Sequence, residues 1–177
     1  SAERKTEEAI PHYKMAIKLN PDFALAHNNL GNALSAERKI EEAISHYKMA
    51  IKLKPDYAEA HYNLGTALFA ERKIEEAISH YKMAIKLNPD FADAYNNLGA
   101  ALFNAKMTEE AIDYYKEAIR IRPNFALAHN NLGNALLQKG EMKEAVHHYR
   151  ETVRLRPDLV AAQKNLETAL LLSEKLK

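Results

Sequence analysis

The sequence predicts an all-α protein, a solenoid of stacked helical hairpins, from two periodic residue types and one apolar pattern. Five of the six prolines recur every 34 residues, and four of the five glycines keep the same interval. Apolar residues between them follow a helical spacing. Self-similarity at such a period indicates stacked supersecondary units, none of which can bury its apolar face alone. The prolines are Pro21, Pro55, Pro89, Pro123 and Pro157, and the glycines are Gly31, Gly65, Gly99 and Gly133.

One unit contains two apolar segments that are each typical of an amphipathic helix. The first segment has Ala26, Leu30, Ala33 and Leu34, and the second has Ile40, Ala43, Ile44, Tyr47, Ala50 and Ile51. A charged turn at 37–39 separates them, and Pro55 ends the second helix because proline cannot continue it. We expect the residue after each periodic proline to cap the next helix with its side chain. These residues are Asp22, Asp56, Asp90, Asn124 and Asp158.

This unit resembles a tetratricopeptide repeat, a helical hairpin of the same length. The signature positions hold His27, Leu30, Gly31, Leu34, Ala43, Tyr47, Ala50 and Pro55, and the next three units match equally well. The resemblance divides the chain into a half-repeat at 1–23, full repeats at 24–57, 58–91, 92–125 and 126–159, and a capping helix at 160–177. It implies an α-solenoid, a right-handed superhelix of ten antiparallel helices.

Two signature positions depart from the family pattern. The tryptophan that the family favours is absent, and its position between the helices is taken by His27, His61, Tyr95 and His129. The turn position that favours glycine has Gly140 in one repeat, but Arg38, Arg72 and Lys106 in the others. If these turns require a left-handed backbone, each non-glycine residue costs on the order of 1 kcal/mol.

The two ends of the array are expected to differ. The last helix has Glu167 where the other repeats have the periodic glycine. A terminal helix tolerates this residue because no second helix packs against it. The first helix has no helix before it in the sequence to cover Ile10, Tyr13 and Ile17. We therefore expect a fragment of a longer array, or self-association through this uncapped helix.

The resemblance implies that the first helix of each repeat lines a concave groove, in which asparagines dominate. Stacking would align Asn29, Asn63, Asn97, Asn131 and Asn165 in one row. A carboxamide offers both donors and an acceptor, which suits the backbone of an extended peptide. The row is similar to the asparagine ladder in the repeat domain of O-linked N-acetylglucosamine transferase. It predicts sequence-tolerant binding of an extended segment, with each bond contributing about 0.5–1.5 kcal/mol.

Further candidate contacts flank this row. They are Asn28, Tyr62, Asn96 and Asn130, then Asn32, Thr66 and Asn134, and farther along the groove Phe69 and Phe103. The alternative for the asparagines is a hydrogen bond to the neighbouring repeat, and for the phenylalanines it is packing between helices. Charged residues are sparse at the implied groove positions. A neutral or partly apolar ligand is therefore favoured over the acidic tails that clamp-type members of the family bind.

Composition argues against several other functions. A net charge of +1 gives no field that would attract nucleic acid or an anionic membrane. No apolar run approaches the length of a membrane span. There is no cysteine, no glycine-rich phosphate loop and no nucleophile beside a base, so we expect neither catalysis nor a cofactor. The absence of cysteine and of a signal peptide leads us to expect a cytoplasmic location.

The eight histidines are not expected to hold a metal ion. His12, His46 and His80 occur once per repeat, which separates neighbours by roughly 10 Å. Zinc needs its ligands within about 2.1 Å of one ion. The adjacent His147 and His148 point to different faces of a helix. Protonation of the histidines between helices is expected to lower the melting temperature near pH 5.

The predicted function is a protein–protein interaction scaffold, not an enzyme, whose partner is a protein or peptide in extended conformation. Two alternatives remain. The chain is either a substrate-recruiting fragment of a larger enzyme such as a glycosyltransferase, or a self-assembling structural module.

Overall fold

The computed structural model describes the backbone of residues 2–175 and the side chains of residues 9–173. These residues form ten helices and no strand, which confirms the all-α prediction. The helices are α1 (Ala2–Leu19), α2 (Ala24–Ala36), α3 (Ile40–Leu53), α4 (Ala58–Ala70), α5 (Ile74–Leu87), α6 (Ala92–Asn104), α7 (Thr108–Ile121), α8 (Ala126–Lys139), α9 (Met142–Leu155) and α10 (Val160–Lys175). Residue contacts divide the chain into two compact units, Ser1–Pro89 and Asp90–Lys177. The outermost positions of the predicted half-repeat and capping helix, residues 1 and 176–177, lie outside the described part.

Each hairpin is closed by contact between a glycine of its first helix and a tyrosine of its second. A β-carbon built on Gly31 would lie 2.6 Å from Cε1 of Tyr47, and one built on Gly65 would lie 2.9 Å from Cδ1 of Tyr81. The second unit has the same contact in the pairs Gly99–Tyr115 and Gly133–Tyr149. Interiors are too densely packed to admit an extra carbon at these distances. The periodic glycines are therefore required by the approach of the two helices.

Alanines and leucines at the predicted positions form the core of each unit. Ala43 and Ala50 are fully buried against α2, and Leu30 and Leu34 of α2 are almost fully buried. The same positions are buried in the other hairpins, at Leu64, Leu68, Ala77, Ala84, Leu98, Leu102, Ala111, Ala118, Leu132, Leu136 and Ala145. Each buried leucine contributes about 1.5–3 kcal/mol relative to an exposed one. The small alanines allow the close helix spacing that this burial requires.

The turn inside each hairpin requires a left-handed residue. The φ angle is 62° at Arg38, 59° at Arg72, 66° at Lys106 and 84° at Gly140. In the first turn, the N–H of Lys39 donates to the carbonyl of Leu34 (2.9 Å), and the N–H of Arg38 donates to that of Ser35 (3.0 Å). This pair of bonds is a Schellman motif, which ends a helix at a left-handed residue. The expected backbone cost therefore applies at the three non-glycine positions.

The prediction that Asp22, Asp56, Asp90 and Asn124 cap the first helices is wrong. The N-cap residue of α2 is Phe23, and no described side chain caps it. Tyr57, Phe91 and Phe125 stand at the same position of α4, α6 and α8. Pro21 and Asp22 instead form the middle of a turn, closed by the N–H of Phe23 and the carbonyl of Asn20 at 3.2 Å. Proline favours this turn position, and the turn places the aspartate one residue too early to cap.

The helices at the two ends are less covered than the inner ones. On α1, the side chains of Ile10, Tyr13 and Ile17 are partly exposed. Tyr47, one repeat after Tyr13, is 3% exposed. At the other end, α10 packs on α9 and leaves Leu171 55% exposed.

Candidate peptide-binding surface

In the first unit, asparagines connect adjacent first helices directly. Nδ2 of Asn63 in α4 donates to Oδ1 of Asn28 in α2, at 3.0 Å. Asn28 is 4% exposed, whereas Asn63 is partly exposed. The two residues are 35 positions apart, which is one repeat plus one residue. The second asparagine of a pair thus binds the first position of the pair in the preceding repeat.

The second unit has the same bond twice. Nδ2 of Asn131 donates to Oδ1 of Asn96 at 3.0 Å. Nδ2 of Asn165 donates to Oδ1 of Asn130 at 3.1 Å and also to Oδ1 of Asn134 at 3.3 Å. The hydrogen bond between repeats, the alternative left open by the sequence, is therefore present in both units.

These bonds give the two asparagines of a pair different roles. Asn28 and Asn96 are buried, at 4% and 2% exposure, so we assign them a supporting role in place of the predicted ligand contact. Asn96 also donates to Oδ1 of Asn97, at 3.1 Å. A carboxamide has two N–H donors and one acceptor oxygen. The inter-repeat bond therefore leaves Oδ1 and one N–H of Asn63 and of Asn131 outside it, while Asn29 and Asn130 are partly exposed.

A third row of polar residues is fixed by the tyrosines of the second helices. The hydroxyl of Tyr47 donates to Oδ1 of Asn32 at 2.8 Å, and that of Tyr149 donates to Oδ1 of Asn134 at 2.8 Å. Burial raises the pKa of both tyrosines to about 12, so their hydroxyls remain donors. In the repeat at 58–91, the hydroxyl of Tyr81 donates to Oγ1 of Thr66 at 3.3 Å. These bonds fix the orientation of Asn32, Thr66 and Asn134.

Three aromatic residues of the predicted site are partly exposed. Tyr62 packs against Tyr81 with ring centroids 6.1 Å apart. Phe69 and Phe103 are also intermediate in exposure, so each offers part of its ring to solvent and part to packing. Such rings can bury apolar side chains of a ligand.

Few charges accompany these residues on the first helices. Glu59 and Lys164 are exposed. Asp93 is paired with Arg122, whose Nη2 lies 2.5 Å from its Oδ2. A cluster of cations that would hold an acidic tail is therefore not formed by the described part of these helices.

Histidines form pairs across the hairpins, which the sequence reasoning missed. Nδ1 of His27 in α2 lies 3.0 Å from Nδ1 of His46 in α3. The pairs His61–His80 and His129–His148 have the same separation of 3.0 Å. In the remaining hairpin the two positions hold Tyr95 and Tyr114, with ring centroids 6.2 Å apart. The signal was a spacing of 19 residues within one repeat, whereas the prediction considered histidines one full repeat apart.

The described helices and side-chain clusters also bear on membrane insertion and metal binding. None of the described helices combines the length and apolarity needed to cross a bilayer. Within residues 9–173, no three His, Cys, Asp or Glu side chains cluster closely enough to hold a metal ion together.

Comparison with known proteins identifies the family. Residues 4–37, 36–71 and 65–105 match the family described as TPR repeat, and residues 92–125 and 126–159 match the family described as tetratricopeptide repeat. No curated protein matches. The structure is similar to a crystal structure of MamA, with a TM-score of 0.80, 29% identity, and 90% of this chain and 94% of that chain covered.

Two other solved structures show the same fold. YrrB, described as a TPR protein with an unusual peptide-binding site, has a TM-score of 0.77 and 23% identity, with 92% of this chain and 84% of that chain covered. MamA from Desulfovibrio magneticus RS-1, residues 41 to the end, has a TM-score of 0.78 and 23% identity, with 87% of each chain covered. The fold is thus a helical-repeat solenoid, and the chain belongs to the tetratricopeptide repeat family.

Proposed function

We propose that the protein is an interaction scaffold that binds an extended protein segment on the first helices of its repeats. The observation that carries this proposal concerns the partly exposed carboxamides of Asn63 and Asn131. Each is held in place by a hydrogen bond to a buried asparagine of the preceding repeat. The neighbouring repeat already orders these side chains. A ligand that binds them therefore loses less side-chain entropy on binding, which is the benefit of preorganisation.

The chemistry of these carboxamides suits a main chain. An extended peptide presents alternating N–H and C=O groups, and a carboxamide with one oxygen and one N–H outside the inter-repeat bond can bind either kind. Each such bond contributes about 0.5–1.5 kcal/mol, so several repeats are needed for useful affinity. The partner is a protein segment recognised mainly by its backbone.

Aromatic side chains add apolar contact area to the proposed binding surface. The partly exposed rings of Tyr62, Phe69 and Phe103 provide apolar area, and few charged residues accompany them. A neutral segment with some apolar side chains fits this surface better than an acidic one. The description of the similarly folded YrrB as having a peptide-binding site is consistent with this kind of ligand.

The scaffold proposal is preferred to the two alternatives. No feature of the described residues favours recruitment of substrates for a larger enzyme. Self-assembly by addition of a further hairpin is opposed by Glu167, which occupies the position where the repeats have a glycine against a tyrosine ring.

The proposal is tested with peptides selected from a random display library against the folded protein. Asn63→Ala with Asn131→Ala removes the proposed contacts and also two inter-repeat bonds. The matched control, Asn28→Ala with Asn96→Ala, removes the acceptors of the same two bonds but keeps the exposed carboxamides.

We expect both variants to lose stability, and the first to lose more affinity for a selected peptide, by about a further tenfold for 1.4 kcal/mol, because the control loses only preorganisation and keeps the contacting carboxamides. Methylation of the peptide's backbone nitrogens should weaken binding further. Equal affinities for the two folded variants would refute the proposal.

A further inference from the structure

In each histidine pair across a hairpin, Nδ1 of one ring faces Nδ1 of the other ring. In the first pair, Nε2 of His27 lies 3.2 Å from the carbonyl oxygen of Pro21. A carbonyl can only accept, so this nitrogen has the proton and Nδ1 of the neutral ring directs its lone pair toward His46. The same bond fixes the inner histidines of the other pairs, from His61 to Pro55 at 3.2 Å and from His129 to Pro123 at 3.0 Å.

Histidines that bind metal ions generally make the same kind of hydrogen bond, through the ring nitrogen that does not bind the ion. A carbonyl bound to one ring nitrogen sets the tautomer and orientation of the ring, and leaves the other nitrogen for an ion. The inner rings are only 6–7% exposed, so their orientation is also fixed by packing. The outer rings, His46, His80 and His148, are partly exposed and can be reached from solvent.

The outer histidine can supply the second nitrogen. In the hydrogen-bonded pair, Nδ1 of His46 donates to Nδ1 of His27. Neutral imidazole has two tautomers, so this proton can move to Nε2 of the same ring and free Nδ1 as a ligand. Burial lowers the pKa of His46 and of His80, a direction that favours the neutral ring that ligation requires.

We propose that the pairs His27–His46, His61–His80 and His129–His148 are three binding sites for a divalent late first-row transition metal such as Ni²⁺ or Cu²⁺. Imidazole suits these ions. Each site has two protein ligands, since no larger cluster exists among the described residues, and water completes the coordination.

The separation of the two nitrogens is short enough for one ion to bind both. Two ligands at right angles, each about 2.1 Å from an ion, are about 3.0 Å apart, whereas tetrahedral ligands are about 3.4 Å apart. The observed Nδ1–Nδ1 separation is 3.0 Å in all three pairs. This separation is also that of the hydrogen bond between the rings, so it shows that both nitrogens can reach one ion but does not select the ion. Cu²⁺ and Ni²⁺ are chosen because they bind nitrogen ligands more tightly than the earlier first-row divalent metals. The outer ring has to turn so that both lone pairs point at the ion.

Charges around the outer histidines have mixed effects on a cation. Glu42 acts on His46 and Glu76 on His80, and both carboxylates favour a bound dication. Lys14 and Lys48 oppose it at the same two sites. At the third site Glu151 favours the cation, while Lys116 opposes it. Charges of both signs therefore act at each pair.

The remaining hairpin is a control that the chain itself provides. Tyr95 and Tyr114 occupy the positions of the histidine pair there. Burial raises the pKa of Tyr95, so the neutral phenol does not ligate at neutral pH. The proposal therefore predicts three sites in four similar hairpins.

Calorimetric titration of the metal-free protein with NiCl₂ near neutral pH tests the proposal. We expect three ions per chain for the unchanged protein, two for H61Y/H80Y and four for Y95H/Y114H. Tyrosine is the replacement because one hairpin already accommodates the Tyr–Tyr pair. His12→Gln, which removes a histidine outside the pairs, should leave three. Mg²⁺, which prefers oxygen ligands, should not bind.

Thermal unfolding with and without NiCl₂ tests the proposal for variants that fold too poorly for calorimetric titration. Because ligands that bind only the native state stabilise it, NiCl₂ should raise the Tm of the unchanged protein. It should not raise the Tm of a chain in which all three pairs are replaced by Tyr–Tyr. No saturable Ni²⁺ binding, or a number of ions that does not follow the number of pairs, would overturn the proposal and leave the pairs as hydrogen bonds alone.

Discussion

Gly31 lies directly under the ring of Tyr47, so that a β-carbon on the glycine would be 2.6 Å from Cε1 and 2.8 Å from Cδ1. We expect Gly31→Ala to lower the free energy of unfolding by about 1–3 kcal/mol through overpacking. Helix propensity alone predicts the opposite, a gain of about 1 kcal/mol. Urea unfolding monitored by circular dichroism decides between these two signs.

A double substitution separates this contact from a general effect of alanine. Gly31→Ala combined with Tyr47→Leu should cost less than the sum of the single changes, because the second change makes room for the first. Additive costs would show that the ring does not determine the need for glycine.

Glu167 should prevent a further second helix from packing on α10. It stands 34 positions after Gly133, whose β-carbon would lie 2.7 Å from Cε1 of Tyr149. In Glu167→Gly, α10 can accept the partly exposed face of α1 around Tyr13 from another copy. Such a head-to-tail contact does not close on itself, so we expect association that increases with concentration in analytical ultracentrifugation.

Two variants control this experiment. Glu167→Ala removes the charge but keeps the β-carbon, so it should not associate. Tyr13→Glu in the Glu167→Gly background should abolish association. Equal behaviour of the alanine and glycine variants would contradict the steric argument.

The left-handed turn residues store backbone strain that glycine would relieve. Arg72 has φ of 59°, which costs a non-glycine residue about 1–2 kcal/mol. Glycine loses about 0.5–1 kcal/mol more conformational entropy on folding. Arg72→Gly should therefore stabilise the protein by up to about 1 kcal/mol, measured by urea unfolding. The reciprocal change Gly140→Arg, at φ of 84°, should destabilise it, and a gain there would contradict the assignment.

The fold was predictable because its periodic residues each have one physical reason to recur. Pro55 follows the C-cap of α3 and opposes its continuation, and glycine at Gly31 is required by a ring in the partner helix. Such positions establish the hairpin and its repetition without any knowledge of side-chain contacts.

The site was less predictable because its side chains have more than one use. Asn28 and Asn63 are the same residue type on equivalent helices, yet one is buried and the other partly exposed. Which of them stays partly exposed depends on the rotation of each helix about its axis. The pair of His27 with His46 depends in the same way on the register between two helices, which repetition does not reveal.

The histidine pairs should make stability depend on pH. Burial, followed by the charge of the partner histidine, lowers the pKa of His46, His80 and His148, the last to about 4. The unfolded value is about 6.5. Between these values the unfolded chain binds more protons than the folded chain, so the free energy of unfolding falls as pH decreases. The stabilisation is complete above pH of about 6.5 and is lost progressively below it, for His148 down to its folded pKa of about 4.

The structural reason lies in the bond between the rings. One proton on a pair still allows Nδ1 of the outer ring to donate, but two protons place N–H groups on both nitrogens and break the bond. Because the outer rings are partly exposed, we expect a loss on the order of 1 kcal/mol near pH 5, which lowers the Tm by about 2–4 °C. Thermal unfolding in EDTA measures it. The chain with three Tyr–Tyr replacements should show a much smaller decrease, and an equal decrease would assign the effect to other groups.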